Sequence, residues 1–203
     1  MERPLSDFPE LFVLRHGQTE WNLLGKYQGQ MDSPLTKLGI SQAKLQGEVL
    51  HTHLAARELP AYASPLLRAA RTAEIALKPL RQHAQHDSRL KEVSFGTREG
   101  KTRVEIDAML GSGNPTKAAR YFSDPKGESF EDLERRCTSF LEALSAPSIV
   151  ITHGITSRIL RGLWLGLDPE AMLELPVGQG CVYHLTKGAE HCLEAATAQP
   201  TAT

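Results

Sequence analysis

Leu11-Phe12-Val13-Leu14-Arg15-His16-Gly17 and, far downstream, Ser148-Ile149-Val150-Ile151-Thr152-His153-Gly154 decide how this sequence reads. Each is a short apolar run that ends in histidine and glycine. Runs of this length without polar alternation predict strands covered on both faces, as in a parallel sheet. The second run leads straight into a helical pattern from Ile155 to Leu165 that returns over the sheet.

The rest of the chain repeats that alternation. Thr36 is placed to cap a helix whose apolar face includes Leu38, Ile40, Ala43, Leu45 and Leu50. Pro60-Ala61-Tyr62-Ala63 predicts another short strand, and Ser64-Pro65 then reads as an N-cap and first helical position for a helix to about Leu80. Ser129 and Asp132 resemble a capping box opening a helix to about Leu144. Cys181 to Leu185 and His191 to Ala195, joined by Lys187-Gly188, predict a final hairpin. Thr97 to Lys126, with its Gly111-Ser112-Gly113-Asn114-Pro115 cluster, is the least regular stretch and the expected place for a substrate lid. The pattern predicts an α/β layer fold with a largely parallel sheet. With no repeat or linker, residues 1–203 are expected to form a single domain, with 196–203 a frayed tail.

The 203 residues carry 23 Lys plus Arg against 24 Asp plus Glu, a formal net charge of −1. That balance argues against gripping nucleic acid or an anionic membrane through bulk charge. The start, Met1 to Asp7, lacks the apolar core of a signal peptide, and no run suits a membrane helix, so a cytoplasmic protein is expected. Cys137, Cys181 and Cys192 have neither metal-site nor redox-motif spacing and read as small core or surface thiols. His51, His53, His83, His86, His184 and His191 read as solvated surface histidines, Trp164 as core, and Trp21 as a pocket wall.

Three strand ends converge on one chemistry. Ligands in open α/β sheets sit outside the carboxyl ends of the strands. Arg15 and His16 follow the first run, His153 the last, and Arg68 lies in the first turn after Ser64. Arginines, histidines and helix N-termini gathered there suit an anion, and phosphate fits the arginine fork.

The motifs add a resemblance. Leu14-Arg15-His16-Gly17-Gln18-Thr19-Glu20-Trp21-Asn22 resembles the opening signature of the histidine phosphatase superfamily, which includes the cofactor-dependent phosphoglycerate mutases. Gln28-Gly29, Asp32 to Thr36, Ser64 to Ala73, Leu90 to Gly96 with Glu99-Gly100, Gly127 to Ser129 and Thr152-His153-Gly154 continue it in order. The resemblance implies a three-layer, phosphoglycerate mutase-like α/β fold, with a mostly parallel central sheet and helices on both faces. It implies His16 as a nucleophile forming a phosphohistidine, with Arg15, Arg68 and His153 on the phosphoryl oxygens. Glu92 would protonate the leaving oxygen and then deprotonate water; burial and the nearby arginines act on its proton in opposite directions.

Asn22, Gln28, Gly29, Gly154 and Glu128 are carried over as substrate-binding positions, and Arg98 and Arg103, just past Glu92, as candidates for a substrate carboxylate. The interval between Glu92 and His153 lacks the long insertion of the mutases, which favours water as acceptor. The expectation is a metal-independent phosphomonoesterase acting on a small phosphate ester, with no metal and no cofactor. A phosphoglycerate mutase and a non-catalytic phospho-ligand binder are the alternatives. Dimers are common in the family, so a homodimer is a further expectation.

Overall fold

The structure, a computed structural model, describes residues 8–111 and 115–195. Strands β1 (Leu11–Arg15), β2 (Ala61–Ala63), β3 (Gln85–His86), β4 (Ser148–Thr152), β5 (Val182–Thr186) and β6 (Ala189–Leu193) form one sheet in the order β3-β2-β4-β1-β5-β6. β3, β2, β4 and β1 run parallel, and β5 and β6 run antiparallel to their neighbours. Alternate side chains point to opposite faces of a strand. Leu11, Val13, Val150, Tyr183 and Leu185 pack under α6 (Phe130–Glu142), α7 (Gly154–Leu165) and α8 (Pro169–Glu174). Phe12, Leu14, Ile149, Ile151 and Val182 pack under α2 (Lys37–Leu54) and α3 (Leu67–Ala76). This is the expected α/β sandwich, and its two covered faces explain the unbroken apolar runs of β1 and β4.

Two helices differ from expectation, each for a physical reason. α2 is capped by Thr36 as expected, but Leu38, Ile40 and Leu45 are exposed. Its buried stripe is Gly39, Ala43, Gln46, Gly47, Val49, Leu50 and Leu54. Small residues win that face because α2 lies backbone-close to its neighbours: a Cβ on Gly47 would sit 2.6 Å from Ala76 O. α3 begins at Leu67, not after Ser64, and ends at Ala76, with a separate 3-10 turn at Lys78–Leu80. Its cap comes from far away, since the Asp32 carboxylate accepts from the N–H groups of Leu67 (2.9 Å) and Arg68 (3.4 Å).

The irregular middle holds α4 (Arg103–Leu110) and α5 (Lys117–Phe122); residues 112–114 of the glycine cluster lie outside the described residues, as does the expected tail 196–203. A short helix, α1 (Glu20–Leu23), follows the first His-Gly step. The hairpin turns at Lys187-Gly188, both at positive φ, as the two-residue turn predicts. His184 is not a solvated residue: its ring stacks on Phe12 at 4.3 Å and its Nε2 lies 2.7 Å from Glu10. Trp164 is buried, its Nε1 donating to Pro9 O. Among the described residues no helix is long and apolar enough to cross a membrane.

Gly17 shows how tightly the first loop is held. A Cβ there would sit 2.2 Å from Gly39 O, so the His16-Gly17 turn and α2 touch backbone to backbone. Gly17→Ala should therefore destabilise the fold by about 1–3 kcal/mol through overpacking. A thermal melt unchanged from wild type would contradict that contact.

Candidate active site

Parallel pairing of β1 with β4 sets Arg15 opposite Thr152, so the next residues of the two strands, His16 and His153, become neighbours. Their ring centroids lie 5.2 Å apart, and both side chains are buried. His16 Nδ1 lies 2.8 Å from Gly17 O. A carbonyl only accepts, so the ring proton sits on Nδ1 and the lone pair on Nε2. Burial, then the charges of Arg68 and Arg15, hold the His16 pKa well below the usual 6.5. A neutral imidazole with a free Nε2 is what a nucleophile requires.

Ser64 performs a different task from the cap read in the sequence. Its Oγ accepts weakly from Leu66 N–H (3.3 Å) and lies 2.7 Å from His153 Nε2. A serine hydroxyl can donate or accept; when Ser64 donates to Nε2, the His153 proton is on Nδ1, which has no hydrogen-bond partner in the protein. Burial, then Arg68 and His16, push the His153 pKa well below 6.5 as well. Arg15 Nε and Arg68 Nε are likewise buried without a partner. Arg15 is anchored through Nη1 to Val177 O (2.9 Å), and both terminal nitrogens of Arg68 are anchored, to Met31 O, Gly29 O and Asp32. Three unpartnered donors beside one nucleophilic ring form an anion cradle.

Glu92 closes the other side. Its carboxylate accepts from the N–H groups of Val93, Ile155 and Thr156 and from the Thr156 hydroxyl, at 3.0–3.1 Å. It is thus pinned to the N-terminus of α7. A Cβ on Gly154 would lie 3.5 Å from Arg15 Nε and 3.6 Å from Glu92 Oε2, so this glycine sits between the two groups.

Arg15, His16, Asn22, Gln28, Gly29, Arg68, Glu92 and Gly154 all line one cavity of about 160 Å³. Asn22 Oδ1 accepts from Thr19 N–H and Gln179 Nε2, which turns the other end of its amide to donation. Gln28 spends both ends of its amide internally, on Thr19 and Ser33. Three expected positions are placed elsewhere. Arg98 is buried and donates to Ala119 O, Arg120 O and Ser123 Oγ. Arg103 lies on the outer face of α4, 3.7 Å from Asp107. Glu128 is taken by Arg136 through two hydrogen bonds of 2.6 and 2.9 Å. None of the three lines the cavity.

Several residues of the site escaped the sequence reading. Lys26, Tyr27, Phe95, Tyr121 and Arg158 line the cavity, and Gln179 donates to His16 O across 163 positions of chain. Arg158 had a local signal, since it follows Gly154 by one helical turn on a helix that opens at the site. Tyr121, on α5, brings the irregular middle to the pocket wall. Trp21, expected as a wall, packs instead with Lys26, whose Nζ lies 5.5 Å from its ring. Among the described residues no three His, Cys, Asp or Glu side chains gather as a metal site.

The buried histidines make stability depend on pH. Folding lowers both pKa values, so below about 6.5 the unfolded chain binds protons that the folded chain refuses, and stability falls as pH falls. The melting temperature should drop between pH 7.5 and 5.5, and less steeply in His153→Gln. Equal slopes for the two proteins would refute the burial effect.

A family model of the histidine phosphatase superfamily, branch 1, matches residues 11–196. A protein of Hydrogenobacter thermophilus named "Putative phosphoserine phosphatase 2" is 34% identical over 170 residues, 79% of this chain and 80% of its own. A Proteus mirabilis protein named "Probable phosphoglycerate mutase GpmB" is 31% identical over 178 residues, covering 80% of this chain and 77% of its own. Among solved structures, one from Escherichia coli described as "a putative alpha-ribazole-5'-P phosphatase" superposes with a TM-score of 0.76 at 27% identity, covering 94% of this chain and 97% of that one. Their names span phosphatases and a mutase, but the matched segment holds every group around the two histidines, and the chain belongs to branch 1 of the histidine phosphatase superfamily.

Proposed function

We propose that this protein is a metal-independent phosphomonoesterase that hydrolyses a small phosphorylated metabolite through a phosphohistidine on His16. The observation that carries the reading is the cradle itself: Arg15 Nε, Arg68 Nε and His153 Nδ1, all buried and unpartnered, beside a histidine whose Nδ1–H is tied to Gly17 O.

In the first step His16 Nε2 attacks phosphorus, the bond to the ester oxygen breaks, and the Glu92 carboxyl gives its proton to that oxygen. In the second, water attacks the phosphohistidine, the P–N bond breaks, and Glu92 takes the proton from the water. Donors on the three phosphoryl oxygens stabilise the charge of each transition state, commonly by about 10²–10³ in rate per donor. The cavity of about 160 Å³ lies below the roughly 300–1,000 Å³ of pockets for drug-sized ligands, which supports a small substrate.

The test is incubation with a panel of small phosphomonoesters in the presence of chelator, reading inorganic phosphate and, after acid-free quenching, label on His16. Free phosphate with transient label on His16 supports hydrolysis. Stimulation by a bisphosphoglycerate, with isomerised product exceeding phosphate, would replace it with the mutase reading. Binding of phosphate esters without label would replace it with the binder.

A further inference from the structure

The cavity has two electrostatic levels. At its base lie the buried groups around His16. Arg158 and Lys26, both half-buried, line the same cavity together with Tyr27 and Tyr121. Arg68 already has a carboxylate partner, Asp32 at 2.8 Å. Arg158 and Lys26 have none: among the described residues no acidic group comes within 4.0 Å of either. Arg158 spends only its Nε, on Leu175 O at 2.7 Å, which holds the side chain and leaves the fork of its two terminal nitrogens uncommitted. Its charge also bears on Arg15 unfavourably.

We propose that Arg158 and Lys26 form a second anion subsite, so that the preferred substrate is a small phosphomonoester whose alcohol portion carries a carboxylate. The inference rests on the phosphatase reading only for where the phosphoryl group sits. With phosphorus against His16, the ester oxygen and its substituent extend toward the half-buried residues. An arginine fork fixed at Nε matches a carboxylate bidentately, and the Lys26 ammonium adds a point charge from the opposite segment of chain. A carboxylate there also relieves the repulsion between Arg158 and Arg15. Arg98 and Arg103, the carboxylate candidates of the sequence, are committed elsewhere, and these two cations stand in their place.

Binding to the His16→Ala protein tests this without turnover. Calorimetry at physiological salt would compare 3-phosphoglycerate with glycerol 3-phosphate, which share a skeleton and differ by carboxylate against hydroxymethyl. The carboxylate ligand should bind about 10- to 100-fold more tightly, the span of a charged hydrogen bond. Adding Arg158→Met or Lys26→Met, which keep the apolar stems, should bring that ratio toward one. Lys44→Met, on the exposed surface of α2, should leave it unchanged. Equal affinities in the parent, equal weakening of both ligands by the Met variants, or an equal effect of Lys44→Met would overturn the subsite. Absence of hydrolysis in the wild-type protein would overturn the phosphatase reading instead, since the affinity ratio does not depend on it.

Discussion

His16→Ala should abolish phosphate release, with a loss on the order of 10⁴-fold or more; removing a nucleophile that acts in concert with its neighbours costs up to about 10⁶ elsewhere. The substitution removes Nε2, the ring nitrogen left with a free lone pair once Nδ1–H is given to Gly17 O, in the cavity that Arg15 and Arg68 also line. The fold should survive, because His16 donates only one hydrogen bond from its side chain, to the adjacent Gly17 O, and its loss also removes a buried ring kept neutral at some cost. Labelled phosphate should no longer be trapped on the protein, while phosphate esters still bind through Arg15, Arg68 and His153. Steady-state release and acid-free trapping measure both. Turnover within tenfold of wild type would remove His16 from the mechanism.

Glu92→Gln should lower kcat for alkyl phosphates by about 10²–10⁴, the usual contribution of a positioned acid–base. The effect should depend on the leaving group. An alkyl oxygen needs the proton, whereas an aryl oxygen leaves as a stable anion, so phosphorylation by an aryl phosphate should be nearly spared. Hydrolysis of the phosphohistidine still needs a base for the water, so with aryl phosphates the variant should accumulate label on His16 and show a burst. The amide also turns N–H groups toward the donors of Ile155, Val93 or Thr156, so some stability is lost, of order 1–3 kcal/mol. An equal loss on alkyl and aryl substrates, without accumulation, would reduce Glu92 to an anchor of the α7 N-terminus.

Much of the fold was legible because its strands are short, apolar and bounded by clear punctuation. β1, β2, β4 and the hairpin lie within a residue or two of their expected bounds. The helix faces were harder. In α2 the apolar pattern found Ala43 and Leu50, but not Gly39 and Gly47, because close backbone approach and not apolar area decides that contact. At α3, Ser64-Pro65 carried a good local start signal, but Asp32, distant in sequence, supplies the cap and His153 takes the serine. A local propensity yields when a tertiary partner satisfies the same group better.

That Arg15, Arg68, Glu92 and His153 gather near His16 was legible in the sequence alone. Arg15-His16-Gly17 and His153-Gly154 follow apolar runs that become neighbouring parallel strands, and such strands bring their carboxyl ends together whatever fills the loops. Only the tertiary structure decided which charges remain free to meet a ligand. Arg98, Arg103 and Glu128 look as available in the sequence as Lys26 and Arg158. Arg98 is spent on backbone carbonyls, Arg103 lies against Asp107, and Glu128 is held by Arg136, whereas the fork of Arg158 faces the pocket uncommitted. The i,i+4 spacing of Arg103 and Asp107 is carried by the sequence, but the partners of Arg98 and Glu128 depend on distances of a few ångströms between separate segments, which no sequence spacing encodes.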